Sequence, residues 1–122
     1  MMPKLRALVV EDDKKFAEKL GNFLKVGFDC DVVLKFSGAD AISILEKEKF
    51  QILLLDLKMP GIDGFTVLSF AKKVNPEINA VVISGIVDAA ITKRAEDMGA
   101  WFMAKPLELR ALDHILQSLL KK

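Results

Sequence analysis

Residues 51–64 read QILLLDLKMPGIDG, and the fold is decided at the start of that stretch. After Gln51, the large apolar residues Ile52, Leu53, Leu54 and Leu55 follow one another without a polar break and stop abruptly at Asp56. A strand with one wet face alternates apolar and polar residues. A short continuous apolar run instead fits a strand covered on both faces, as in a parallel sheet flanked by helices. The sequel Leu57-Lys58-Met59-Pro60-Gly61-Ile62-Asp63-Gly64 holds a proline and two glycines, the residues that shape tight turns. An acid therefore ends a buried strand beside a defined loop.

Similar runs lie on either side, at residues 5–10, 30–34, 80–83 and 101–104. The run at 30–34 carries Asp31 among its apolar residues, which suits an edge strand. Between the runs the period changes to that of a helix. Phe16, Leu20, Phe23 and Leu24 form one stripe, with Asp13 placed to cap its start. Ala41, Ile42, Ile44 and Leu45, then Phe65, Leu68 and Ala71, mark two weaker helices. Val87, Ile91, Ala95 and Met98 form a further stripe ended by Gly99 as a C′ residue. Leu112, Ile115, Leu116 and Leu119 form the last, with Pro106 at an early position. The plain reading of every stripe is core packing. Strand and helix thus alternate five times, which predicts an α/β fold with a parallel sheet and right-handed crossovers.

The 122 residues fit one domain, residues 1–122 with a core over about 5–120, and no output domain is expected in this chain. There is no repeat and no linker-like segment. A net charge of +1 offers no basic excess for a nucleic-acid surface. The single cysteine, Cys30, excludes an internal disulfide and points to a reducing compartment. No apolar run approaches the ~20 residues that span a bilayer, and the short stretch before Glu11 is too small for a signal peptide. A soluble cytoplasmic protein, bound neither to membrane nor to nucleic acid, is the expectation.

In open α/β sheets ligands bind beyond the carboxyl ends of the strands, so the residues that end each run carry the chemistry. They are Glu11, Asp12 and Asp13 after the first, Asp56 after the third, Ser84 after the fourth and Lys105 after the fifth. If the first and third strands are neighbours, Glu11, Asp12 and Asp56 converge, and like charges there need protons or a cation. An oxygen-only donor set favours magnesium or manganese. The bland alternative is that Glu11 to Asp13 merely favour the start of a helix. Asp56 is the natural nucleophile, since a carboxylate can attack phosphorus to give an acyl phosphate. Ser84 can donate a hydrogen bond to a phosphoryl oxygen, although a serine that simply ends a strand is common. Lys105 can pair with the acids at rest and with a phosphoryl group later. It precedes Pro106, and an X–Pro bond can be cis.

Taken in order, Val9-Val10-Glu11-Asp12-Asp13, Leu55 to Gly64, Val82-Ile83-Ser84-Gly85, Gly99-Ala100 and Lys105-Pro106 resemble receiver domains of bacterial response regulators. The resemblance covers essentially the whole chain. It implies a doubly wound, flavodoxin-like (βα)5 fold with strand order 2-1-3-4-5. It also implies that Asp56 accepts a phosphoryl group from a sensor histidine kinase or phosphotransfer domain. Asp12, Asp56 and the backbone carbonyl of Lys58 would ligate Mg²⁺, with Mn²⁺ as an alternative and Glu11 acting through water. Ser84 and Lys105 would contact phosphoryl oxygens. A shift of Ser84 would be coupled to inward rotation of Phe102, reshaping the face of the fourth helix, fifth strand and fifth helix (87–98, 101–104 and 107–120) for an effector or a second copy. Pro106 belongs to the same switch region.

Two departures from that pattern stand out. Gly99 to Lys105 is one residue shorter than in many relatives, which leaves Phe102 and Trp101 both eligible as the switch aromatic. Lys58 and Ile86, each two positions beyond a site residue, would flank the path of a hydrolysing water and lengthen the phosphoryl lifetime. Other classes fit less well. A haloacid-type phosphatase resembles Asp-x-Asp after the first strand, whereas Asp56 is followed by Lys58 on the third. A flavodoxin wants a Ser/Thr/Gly-rich loop where Glu11-Asp12-Asp13-Lys14-Lys15 stands. The serious rival is an adaptor of the same fold that binds partners without being phosphorylated.

Overall fold

A computed structural model describes residues 4–59 and 61–120. Strands and helices alternate as β1 Arg6–Val10, α1 Lys14–Phe28, β2 Asp31–Lys35, α2 Gly38–Lys47, β3 Ile52–Asp56, α3 Gly64–Val74, β4 Asn79–Ser84, α4 Ala89–Asp97, β5 Ala100–Ala104 and α5 Leu109–Leu120. The five strands form one sheet in the order β2-β1-β3-β4-β5, and every pairing is parallel. The strand at 30–34 was expected at an edge, and β2 is an edge strand.

Period-2 alternation along the strands divides the core into two halves. Leu8, Val10, Leu53, Leu55 and Val82 point to one face and meet Ala41, Leu68, Ala71 and Ala95 from α2, α3 and α4. Ala7, Val9, Ile52, Leu54, Val81 and Ile83 point to the other and meet Ala17, Leu20, Leu24, Leu112 and Leu116 from α1 and α5. Every residue of β3 is buried, which is why its sequence shows no alternation. Each fully buried leucine or isoleucine there contributes about 1.5–3 kcal/mol of transfer free energy.

Helix starts follow side-chain chemistry. Asp13 Oδ1 accepts the Phe16 N–H at 3.2 Å, Asp63 Oδ1 the Phe65 N–H at 2.9 Å and Asp88 Oδ1 the Ile91 N–H at 2.8 Å. The Asp88 cap corrects one expectation. Val87 does not continue the α4 stripe: it precedes the helix and stands exposed, leaving Ala95 as the buried residue of α4. Pro106 is corrected as well. It lies in the β5–α5 connection, joined to Lys105 by a cis peptide bond, and the helix opens with Leu112 N–H donating to Glu108 O. The intervening Leu107 is used to reach the α1/α5 side of the core. Gly99 adopts φ +80 after α4, as expected of a C′ residue.

The turn after β3 is as shaped as its sequence suggests. A Cβ at Gly64 would lie 2.7 Å from Leu57 Cα, so only glycine lets α3 start this close to the strand end. Gly61 takes φ +85. Pro60 lies outside the described residues.

Candidate functional site

Parallel pairing of β1 with β3, Val10 opposite Leu55, brings the two strand ends together. Glu11 and Asp12 thereby stand beside Asp56, and carboxylate oxygens of the three lie within 4.8 Å of one another. Glu11 is 2% exposed and Asp56 5%, whereas Asp12 is open to solvent. From the far side β5 delivers Lys105, whose backbone N–H donates to Ser84 O. Its Nζ lies 3.2 Å from Asp56 Oδ2 and 3.3 Å from Glu11 Oε1. The other oxygens are also held: Asp56 Oδ1 accepts the Lys58 N–H and Glu11 Oε2 the Asp13 N–H, both at 3.1 Å. These groups open into a cleft of about 570 Å³ lined by acids, Lys58, Met59, Gly85 and Lys105.

One ammonium does not balance this many carboxylates. Burial, reinforced by the Asp56 charge against the opposing Asp13 N–H and Lys105, raises the Glu11 pKa to about 7. Burial by itself would lower the Lys105 pKa, but hydrogen bonds and charge from Asp56 and Glu11 outweigh it and hold the ammonium above its usual value. The residual negative charge and the all-oxygen donors fit a hard divalent cation at Glu11, Asp12 and Asp56.

The expected residues do not all meet the cleft in the same way. Asp56, Glu11, Asp12 and Lys105 converge. Ser84, 2% exposed, lies just behind Gly85 and accepts the Ile86 N–H at 3.0 Å with its Oγ. Lys58 reaches Asp56 through its backbone N–H. Phe102 is half-buried on the α2/α3/α4 face of β5, paired with Val82. Trp101 stands one residue before it and is 48% exposed. Sequence reading missed two contributors. Met59 lines the cleft, and Phe16, read as core, lies with its ring centroid 5.2 Å from Lys105 Nζ. Only its position one helical turn after Asp13 could have hinted at that.

Comparison with known proteins agrees with this geometry. A response regulator receiver protein of Anaeromyxobacter is 33% identical over 111 residues, covering 88% of this chain and 46% of the relative. The transcriptional regulatory protein ZraR of Salmonella typhimurium is 30% identical over 118 residues, covering 96% of this chain and 26% of its own length. The chain thus spans less than half of these curated relatives. The crystal structure of the signal receiver domain of a DNA-binding response regulator from Colwellia psychrerythraea superposes with a TM-score of 0.88 at 28% identity, covering 98% of this chain and 100% of that one. The family profile described as response regulator receiver domain matches residues 7–117. With the strand order, the acidic cluster and the lysine at the end of β5, these matches place the chain in the receiver-domain family of two-component response regulators.

Proposed function

We propose that Asp56 is the phosphoacceptor of a signalling switch, charged by a sensor histidine kinase or phosphotransfer domain. The observation that carries this reading is the sharing of the Asp56 carboxylate between Lys105, at 3.2 Å, and the Glu11–Asp12 acidic cluster. A structural ion pair needs no such cluster. Glu11, Asp12 and Asp56 would hold Mg²⁺, helped by the Lys58 carbonyl, and the bound ion would offset the charge that builds on the phosphoryl oxygens.

The chain's own residues supply the rest. The Lys58 N–H fixes Asp56 Oδ1, leaving the carboxylate aimed along the cleft. An Asp56 oxygen forms a bond to phosphorus as the bond from phosphorus to the donor imidazole nitrogen breaks, and the imidazole leaves with that electron pair. Lys105, already over Asp56, follows the charge onto a phosphoryl oxygen. The Ser84 hydroxyl turns from the Ile86 N–H to a second one. Because Ser84 and Phe102 sit on paired strands, opposite Ala104 and Val82 respectively, that movement reaches the α4 side of β5. The protein catalyses its own phosphorylation and dephosphorylation and releases no small-molecule product. Lys58 and Ile86 stand by the attacking path of water and slow hydrolysis. Exposure of Ile86, Val87 and Trp101 supports an output face at α4, β5 and α5 for an effector or a second copy.

Incubation with Mg²⁺ and acetyl phosphate, followed by intact mass, tests the proposal. One added phosphoryl group, lost in Asp56→Asn and in chelator, is expected. A folded, magnesium-loaded protein that gains no mass and binds no beryllofluoride would instead be the non-phosphorylated adaptor.

A further inference from the structure

The Lys105 ammonium has a partner besides its two carboxylates. The Phe16 ring centroid lies 5.2 Å from Nζ, within the ~6 Å over which the negative face of a ring attracts a cation. Phe16 shares a stripe with Leu20 and Leu24, yet those two are buried and Phe16 stays half-exposed. Phe16 packs against the α1/α5 half of the core, and its ring also lies over the ammonium. Lys14, on the same turn of α1, lies over a different ring, Phe36, at 5.3 Å.

Phe16 is itself fixed from the site. Glu11 Oε2 holds the Asp13 N–H, and Asp13 Oδ1 holds the Phe16 N–H. The circuit closes where Lys105 Nζ returns to Glu11 Oε1 at 3.3 Å. Lysine carries its charge on a flexible four-carbon stem, and this side chain is about a third exposed. Two carboxylates alone tether it from below and leave it free to swing towards water once one of them is esterified. A ring face attracts without demanding one bond direction, so the ammonium can move from carboxylate to phosphoryl oxygen while still covered.

We propose that Phe16 is a positioning residue for Lys105, holding its ammonium over Asp56 by a cation–π contact while the phosphoryl group is transferred. The inference rests on the phosphoacceptor reading above.

The test replaces Phe16 by mono-, di- and trifluorinated phenylalanine, which keep the ring's shape while draining its face of negative charge, and by leucine and tryptophan. The rate of phosphorylation by acetyl phosphate with saturating Mg²⁺ is the readout, and a thermal melt checks that each variant is folded. The rate should fall stepwise along the fluorinated series, by about two- to fivefold at the trifluoro ring and in Phe16→Leu, and Phe16→Trp should keep it. A packing role would not track fluorination. Phosphorylation of the unsubstituted protein with rates indifferent to fluorination overturns this inference alone. An unsubstituted protein that takes up no phosphoryl group overturns the phosphoacceptor reading and this one with it.

Discussion

Glu11 should make the metal-free protein less stable as the pH rises, against the usual behaviour of a carboxylate in an ion pair. Its folded-state pKa is about 7 against an ordinary 4.5. Between those values the folded chain binds a proton that the unfolded chain has lost, so stability falls as pH climbs through the window. The burden is absent below pH ~4.5 and complete above ~7. Linkage gives roughly 1.4 kcal/mol of destabilisation at about pH 5.5 and roughly 3.4 kcal/mol at about pH 8, a difference of about 2 kcal/mol. Glu11→Gln removes the titrating group. The substitution has its own pH-independent penalty. Glu11 accepts both the Asp13 N–H and the Lys105 ammonium, and an amide can accept only on its oxygen side. The slope, not the absolute stability, is therefore the measurement. Urea unfolding in chelator at both pH values should show the parent losing about 2 kcal/mol more than Glu11→Gln between them. Equal slopes for the two proteins would refute the reasoning, because burial beside Asp56 would then not be disfavouring the Glu11 anion.

Three further outcomes follow from local geometry. Asp29 ends α1 at φ +54, a conformation that costs a side-chain-bearing residue about 1 kcal/mol, and its contact with Lys4 is solvent-exposed. Asp29→Gly should therefore raise stability by about 0.5–1 kcal/mol in urea unfolding. Gly64→Ala would set a Cβ 2.7 Å from Leu57 Cα. It should cost about 1–3 kcal/mol and slow phosphorylation by displacing the loop beside Asp56. Ile86→Ala should shorten the phosphoryl lifetime, read as the decay of phosphoprotein after the donor is removed, and an unchanged decay would absolve Ile86 of shielding the bond.

The sequence by itself determined the alternation of strand and helix, because a continuously apolar run and a helical stripe each follow from how many faces an element must bury. Ile52 to Asp56 and the stripe at Leu20 and Leu24 needed nothing else. It also pointed to the chemistry, since acids, a serine and a lysine that end apolar strands are not explained by packing. Strand order came from resemblance, as period and spacing are silent on which strands are neighbours. Tertiary structure decided what depends on distance between remote residues. Lys105 meets Glu11 across 94 positions, and the rise in the Glu11 pKa exists only because folding buries it beside Asp56. Val87 and Phe16 show the same limit from the other side. Both sit where an apolar stripe predicts core, but Val87 precedes its helix because Asp88 caps it, and Phe16, besides packing against the core, lies over a cation delivered by the far end of the chain.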